Sequence, residues 1–147
     1  MEYVSKRIAE IAKERKMYIE IHLGSNCLKE PTYQQLIEWI FEYANTIECD
    51  LKDNIKWLEF WYQILIPEIQ DNEFVLEGFI EMLLNWFENN NLYLIVFMTP
   101  NQYWQYNIDV YKDKKLIEEH QWDMLETKQE ARHEGILKIF ELIKENK

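Results

Sequence analysis

The chain contains few of the residues from which the commonest catalytic and cofactor-binding loops are built. Its 147 residues include only three glycines. Neither GxGxxG nor the GxxxxGKS/T pattern, whose backbone amides cradle phosphate groups, occurs in the sequence. The GxSxG turn that presents a catalytic serine is absent too. We therefore expect no nucleotide-binding loop, no bound cofactor and no hydrolase nucleophile of this type.

Cysteine is equally scarce, with Cys27 and Cys49 as the two examples. They do not make a disulfide framework, and no CxxC or HxxxH pair indicates a zinc site, so we expect reduced thiols and no metal. One alternative stays open, a small enzyme in which a histidine activates a cysteine. It predicts a deep pocket lined by at least two of Cys27, His22, His120 and His133.

Long apolar runs are also missing. No segment approaches the roughly 18 consecutive apolar residues that a membrane-spanning helix needs. Residues 1–4 lead into a charged segment rather than into the apolar core of a signal peptide. We expect a cytoplasmic protein that does not enter the membrane.

Basic side chains are outnumbered, with 16 lysines and arginines against 27 aspartates and glutamates and a net charge of -11. Residues 30–88 carry thirteen acidic and two basic side chains, which accounts for the whole net charge. Nucleic-acid phosphates repel such a chain, so we expect no nucleic-acid partner. Solubility alone explains the charge, and a more specific hypothesis is an acidic face that binds a basic groove of another protein.

Apolar residues are abundant, at 48% of the chain, and aromatic residues make up 15%. This composition is typical of a folded chain with a substantial core. The uninterrupted apolar run Leu92–Met98 is typical of a strand buried on both faces. Residues 103–111 alternate between apolar and polar and predict its hairpin partner, with one wetter face. We expect this hairpin to form the centre of a sheet.

Further strands are predicted at residues 17–23, 47–52 and 116–122. Residues 55–66 are too apolar for periodicity to decide between a helix and a strand. Their aromatic and β-branched content favours a strand at 57–66, and Pro67 is expected to end the element in either case.

Helical spacing of apolar residues predicts four helices, at residues 3–15, 32–45, 73–89 and 127–145. The second and fourth begin with capping boxes, in which two side chains three residues apart accept hydrogen bonds from backbone N–H groups of the first turn. These boxes are Thr32 with Gln35 and Thr127 with Glu130. Asp71 or Asn72 is expected to cap the third helix.

The expected fold class is α+β, with an antiparallel sheet of about four to six strands and helices packed on one face. The last helix is expected to lie close on the sheet through Ala131 and Gly135, because small residues allow close approach. Residues 1–147 are expected to form a single domain.

A weak internal repeat relates residues 32–66 to residues 79–113. In it Trp39 matches Trp86, Ile47 matches Leu94 and Trp57 matches Trp104, each 47 residues later. The repeat supports the strand interpretation of residues 57–66, although three matches in a tryptophan-rich chain also arise by chance.

Three segments resemble the helices of small uncharacterised proteins from phages and mobile elements of Bacteroidetes. They are SKRIAEIAKE (5–14), EPTYQQLIEW (30–39) and TKQEARHEGILKIFELI (127–143). Residues 50–81 fall outside this resemblance. It implies an accessory gene product of bacterial or phage origin and carries over no catalytic residue.

The sequence favours a non-catalytic interaction protein over an enzyme. We expect a protein partner bound through the acidic middle segment and exposed aromatic residues, which are enriched in interfaces, and an oligomer is also compatible with the sequence. The predicted surface consists of Trp57, Trp61, Tyr103, Trp104, Tyr106, Glu38, Glu42, Asp71 and Glu77. Besides the small enzyme, a nucleic-acid mimic that inhibits a host defence protein is an alternative, and it requires the carboxylates of residues 30–81 to gather on one face.

Overall fold

The computed structural model describes residues 4–14, 32–46 and 51–145. The elements in these ranges are α1 (Lys6–Glu14), α2 (Tyr33–Thr46), α3 (Leu51–Ile69), α4 (Glu73–Asn89), β1 (Leu92–Met98), β2 (Trp104–Lys112), β3 (Lys115–Leu125) and α5 (Lys128–Glu145). The α+β class is confirmed. The chain divides into two compact units, Met1–Phe79 and Ile80–Lys147. None of the described helices is long and apolar enough to cross a membrane.

The sheet is an antiparallel meander in the order β1-β2-β3. Its first pair runs without irregularity from Leu92 opposite Val110 to Met98 opposite Trp104. The hairpin and the third strand are confirmed. The expected four to six strands are too many, since the described residues form three. The strand predicted at residues 17–23 lies outside the described ranges. Of the one predicted at 47–52, residues 47–50 also lie outside them, and residues 51–52 are helical in α3.

Residues 57–66 form part of α3, so the strand prediction for them is wrong. The fully buried residues Leu58, Trp61 and Leu65 recur at helical spacing, and Gln63 between them is exposed. Burial of this helical stripe outweighs the weaker β preference of aromatic and β-branched side chains. Trp57 therefore lies in a helix, whereas Trp104, its match in the repeat, lies in a strand.

Pro67 lies inside α3 and does not end it, because the helix continues to Ile69. That expectation was wrong. A proline lacks one backbone N–H and is most costly in a helix interior. The hydrogen bond that it lacks would run to the Gln63 carbonyl, and only two helical residues follow it, so the disruption is confined to the C-terminal end of α3.

The predicted N-caps are present, but the full capping box forms only at Thr32, because Glu130 accepts from the Glu126 N–H instead of the Thr127 N–H. Thr32 Oγ1 accepts from the Gln35 N–H at 3.2 Å, and Gln35 Oε1 accepts from the Thr32 N–H at 3.0 Å. Asn72, rather than Asp71, caps α4 through a 3.2 Å bond from the Val75 N–H to Asn72 Oδ1. These bonds satisfy amides that have no partner within the helix.

The core of the Met1–Phe79 unit combines aliphatic side chains with several aromatic rings that pack against one another. The ring centroids of Phe41 and Phe79 are 5.8 Å apart, and those of Tyr62 and Phe79 are 6.2 Å apart. The Trp57 indole N–H donates to the Ile40 carbonyl of α2 at 3.1 Å. Rings of α2 and α3 thus both pack against Phe79 of α4, and the Trp57 hydrogen bond joins α3 to α2 directly.

In the Ile80–Lys147 unit, α5 packs on one face of the sheet, as predicted. Ala131 and Gly135 are buried, and Gly135 lies against Leu94 of β1. Beneath the helix, Ile108 of β2 is fully buried. Phe140 of α5 also packs edge-on against Phe87 at 5.6 Å.

Strand β1 is not buried on both faces, which corrects the interpretation of its apolar run. Leu92 is buried, but Tyr93, Ile95 and Phe97 on the opposite face remain 37%, 44% and 37% exposed. Helix α5 covers one face of the sheet and leaves the side chains of the other face exposed. The sequence of an apolar strand does not show whether one or both of its faces will be covered.

Candidate interaction surface

The most unusual surface of the Ile80–Lys147 unit is a row of three large apolar side chains on β1, Tyr93, Ile95 and Phe97. Residues two apart on a strand project from the same face, so the three lie side by side. Each keeps more than a third of its surface exposed. We call them the apolar row.

The neighbouring strand supplies polar residues to the same face. Asp109, Asn107 and Gln105 of β2 lie opposite Tyr93, Ile95 and Phe97 respectively. The Gln105 Nε2 donates to Asn107 Oδ1 at 2.8 Å. The face is therefore apolar along its edge strand and hydrogen-bonding along its central strand, which is the mixed character of many protein interfaces.

A concave region of about 470 Å³ adjoins one end of the apolar row. Its wall includes Tyr93 and Tyr111, whose rings meet edge to face at 5.3 Å and 83°. The full lining consists of Glu88, Asn91, Tyr93, Leu94, Ile95, Asp109, Tyr111 and Lys114. The two carboxylates of the lining outnumber the single ammonium group of Lys114, and with the two tyrosine rings they suit a further basic side chain through ion pairing and cation–π contact.

Two lining residues have left-handed backbone conformations that glycine normally provides. Asn91 has a φ of 65° and Lys114 a φ of 66°. Asn91 precedes β1, and its carbonyl accepts a 2.9 Å hydrogen bond from the Tyr111 N–H. Lys114 follows Asp113, also at positive φ, in the two-residue turn between β2 and β3. In this glycine-poor chain, the rim of the concavity is thus shaped by residues that carry side chains.

The predicted aromatic residues occupy very different environments. Trp61 is 0% exposed and Tyr106 is also buried, so neither belongs to an exposed surface, and their inclusion in the predicted one is corrected. Trp61 lies on the buried stripe of α3, and Tyr106 is on the sheet face under α5. Trp57 and Trp104 are half-buried, and Tyr103 is exposed in the turn before β2.

Burial has a chemical consequence for Tyr106. It raises the pKa of the phenol above its ordinary value, because the phenolate would lose its hydration. The carboxylates of Glu134 and Glu141 on α5 raise this pKa further by repelling the phenolate charge. Tyr106 is therefore a neutral core residue rather than a contact residue.

The acidic residues assigned to the surface are all exposed. Glu38 and Glu42 are one turn apart on α2, Asp71 lies before α4, and Glu77 lies on α4. They belong to the Met1–Phe79 unit, whereas Tyr103, Trp104 and the apolar row belong to the other. Glu30, Glu48 and Asp50 lie outside the described residues, so the nucleic-acid-mimic hypothesis stays a prediction.

Two of the four residues of the alternative Cys/His enzyme, Cys27 and His22, lie outside the described ranges, as does the second cysteine, Cys49. His120 lies 3.4 Å from Glu118, measured from Nε2 to Oε2, and His133 is exposed on α5. Within residues 4–14, 32–46 and 51–145, no cluster of three histidine, cysteine or acidic residues has the arrangement of a metal site.

Sequence reasoning missed the apolar row although it identified the strand. The run from Leu92 to Met98 was assigned to the interior because it has no polar residue to mark a solvent face. One available signal was that its hairpin partner alternates clearly. A strand paired with a half-exposed neighbour has the same two faces as that neighbour.

Comparison of the chain with profiles of protein families, with curated proteins and with solved structures found no match.

Proposed function

We propose that the chain is a non-catalytic interaction protein of phage or mobile-element type, and that it binds a protein partner through the apolar row and the adjoining concavity. The observation that supports this most directly is the exposure of Tyr93, Ile95 and Phe97 side by side on one sheet face. Scattered exposed apolar residues are common on soluble proteins, but adjacent ones are typical of contact surfaces.

The energetics favour a partner at this face. Full burial of a large apolar side chain contributes roughly 1.5–3 kcal/mol relative to full exposure. Covering the remaining exposed third of each member therefore contributes on the order of 1 kcal/mol per residue. Tyrosine is also enriched among the residues that dominate binding energy, because its hydroxyl can stay hydrated at the rim while its ring is buried.

The concavity indicates the chemistry of the partner. Glu88 and Asp109 supply negative charge beside the rings of Tyr93 and Tyr111. A partner segment with an apolar strip and a lysine or arginine at one end would match both the row and the concavity. The overall charge of -11 attracts such a segment at long range and raises its association rate at low salt.

The exposed carboxylates of the Met1–Phe79 unit, which include Glu38, Glu42, Asp71 and Glu77, are part of the net charge of -11 that produces this attraction. Their contribution is electrostatic steering, which falls as salt is added because the screening length is about 8 Å at physiological ionic strength. We propose that they influence how fast the partner arrives, and that the apolar row determines how long it stays.

The test is affinity purification of the tagged chain from the organism that carries its gene, with the captured proteins quantified by mass spectrometry. Three baits are compared: the wild type, the double variant Tyr93→Ser with Phe97→Ser, and Phe74→Ser. Phe74, at 82% exposure in the first turn of α4, is the matched control for loss of an exposed aromatic residue. Circular dichroism and urea unfolding first establish that all three are folded.

We expect one reproducible partner with the wild type and with Phe74→Ser, and at least a tenfold lower yield with the double variant, as expected for loss of about 1.4 kcal/mol. Equal recovery by all three baits, or no reproducible partner, would contradict the proposal. Purified partner is then titrated against the chain at two salt concentrations, and the association rate should fall at the higher one.

A further inference from the structure

The two edges of the sheet differ sharply in chemistry. In the described part of the chain, β1 forms one edge and β3 the other. Strand β3 carries charged residues and pairs with β2 through two register shifts. Strand β1 has no charged residue, no proline and no irregularity in its pairing. Charges, prolines and bulges are the features by which proteins keep an edge strand from pairing with another chain, and β1 lacks all three.

The backbone groups that β1 presents at its outer edge follow from two hydrogen bonds. The Tyr111 N–H donates to the Asn91 carbonyl at 2.9 Å, and the Thr99 N–H donates to the Tyr103 carbonyl at 2.7 Å. In an antiparallel ladder, hydrogen-bonding residues alternate along each strand. Residues 93, 95 and 97 therefore direct their N–H and C=O groups towards β2, whereas residues 92, 94, 96 and 98 direct theirs outward.

We propose that this outer edge pairs with the same edge of a second copy of the chain. The pairing is antiparallel about a two-fold axis through Ile95. Leu92 then lies opposite Met98 of the second copy, and Leu94 opposite its Val96. This register pairs all four outward residues of each β1 with each other, and it joins the two three-stranded sheets into one sheet of six strands.

A second copy suits this edge because a two-fold axis brings the same surface patch of both copies into contact. A patch that carries like charges is then repelled by its own copy. In a chain with a net charge of -11, most such contacts would bring carboxylates together. The β1 edge avoids this repulsion, whereas self-pairing of β3 would bring together a strand that carries Glu118 and Glu119. The uncharged β1 edge can therefore pair with its own copy without the repulsion between carboxylates that an acidic patch would bring.

The pairing would also extend the apolar row. On the exposed face, Tyr93 would lie beside Phe97 of the second copy, and the two Ile95 side chains would meet at the axis. These are the non-hydrogen-bonded positions of the new ladder, where side chains approach most closely. The proposed dimer does not depend on a protein partner, although it would double the surface offered to one.

Sedimentation equilibrium and light scattering of the full chain, over a range from about 1 to 500 μM, test the proposal. The sharpest variant is Val96→Pro, because it removes an outward N–H and leaves the ladder to β2 intact. Val96→Ala is its control, since it loses the same side-chain packing but keeps the N–H. We expect Val96→Pro to raise the dimer Kd by about tenfold or more through two lost symmetry-related hydrogen bonds, and Val96→Ala to leave it nearly unchanged.

A second pair of variants tests the register. Ile95→Lys and Ile95→Glu each place like charges opposite one another at the axis, so each alone should be monomeric. An equimolar mixture should form a heterodimer, because the charges are then opposite. A variant that merely misfolds would not recover a partner on mixing.

A wild-type monomer throughout the concentration range would overturn the proposal. So would a dimer that is equally sensitive to Val96→Pro and Val96→Ala, or charge variants that fail to associate when mixed. These results are independent of the affinity purification, since a chain with no other partner can still form this dimer, and a monomer can still bind one.

Discussion

Gly135 of α5 lies so close to Leu94 of β1 that a methyl group in place of its hydrogen would come within 2.5 Å of Leu94 Cδ1. The absence of a side chain at Gly135 therefore allows the helix to approach β1 closely at this point. This close approach explains a glycine in a helix interior, where glycine is less favourable than alanine by about 1 kcal/mol.

We predict that Gly135→Ala destabilises the fold by about 1 kcal/mol, because an overlap cost of roughly 2 kcal/mol exceeds the gain in helix propensity. In a Leu94→Ala background, the same substitution should instead stabilise by up to about 1 kcal/mol, because the overlap is gone. Urea unfolding of the four proteins of this cycle measures both values. An identical effect of Gly135→Ala in the two backgrounds would show that Leu94 is not the cause.

The second prediction concerns Trp61, whose indole N–H is buried with no hydrogen-bond acceptor among the described residues. Trp61→Ala should cost about 3–5 kcal/mol, as large core truncations do. Trp61→Phe should cost only about 1–2 kcal/mol, because it also removes the unpaired donor. Chemical denaturation distinguishes the two, and equal costs would contradict the argument.

The substitution Trp57→Phe is the control for Trp61→Phe, because the indole N–H of Trp57 has a hydrogen-bond acceptor. Its N–H is hydrogen-bonded to the Ile40 carbonyl, so Trp57→Phe removes a satisfied donor. We expect this change to cost about 1 kcal/mol even though Trp57 is less buried than Trp61.

The third prediction tests the start of α5. Thr127 Oγ1 accepts a 3.0 Å hydrogen bond from the Glu130 N–H, and Glu130 Oε2 accepts one from the Glu126 N–H at 3.3 Å. Thr127→Ala should lower the free energy of unfolding by about 1 kcal/mol. Thr127→Ser retains the oxygen and should change it by no more than a few tenths. A loss of similar size in both variants would assign the effect to the threonine methyl group instead.

The fourth prediction is a pH dependence at Tyr106. Because burial and then the carboxylates of Glu134 and Glu141 raise its pKa in the folded state, the unfolded chain loses this proton at lower pH than the folded chain does. The stabilisation is therefore complete below the ordinary tyrosine pKa of about 10 and is lost as the pH rises through the folded-state pKa.

Tyr106→Phe keeps the ring and removes this titration. Between pH 9 and pH 11, about one unit either side of the ordinary tyrosine value, the variant should lose less stability than the wild type. The comparison cancels the titration of other tyrosines and lysines, which both proteins share. Parallel pH profiles would mean that the Tyr106 phenol titrates alike in both states.

Local chemistry made much of the helix and hairpin pattern predictable. The Thr32, Asn72 and Thr127 caps each use a short side chain to satisfy a backbone amide nearby, so neighbouring residues suffice to identify them. The hairpin from Leu92 to Lys112 was likewise recognisable, because an apolar run, a polar turn and an alternating run lie close together in the chain.

The errors have a shared cause. Residues 57–66 and Leu92–Met98 are both rich in apolar residues, and such runs do not indicate how many of their faces will be covered. Residues 57–66 form part of helix α3, and one stripe of that helix, through Trp61 and Leu65, is buried. Leu92–Met98 forms a strand with one exposed face, so three residues that were expected in the core belong to the candidate interaction surface.

Composition and contacts within a few residues are sufficient to predict the α+β class, the acidic character, the caps and the order of most elements. They do not predict that Trp61 and Tyr106 are interior while Tyr93, Ile95 and Phe97 are exposed. The exposure of these side chains depends on which surfaces α2 and α5 cover. Packing between elements that are far apart in the chain cannot be predicted from the periodicity of any one segment.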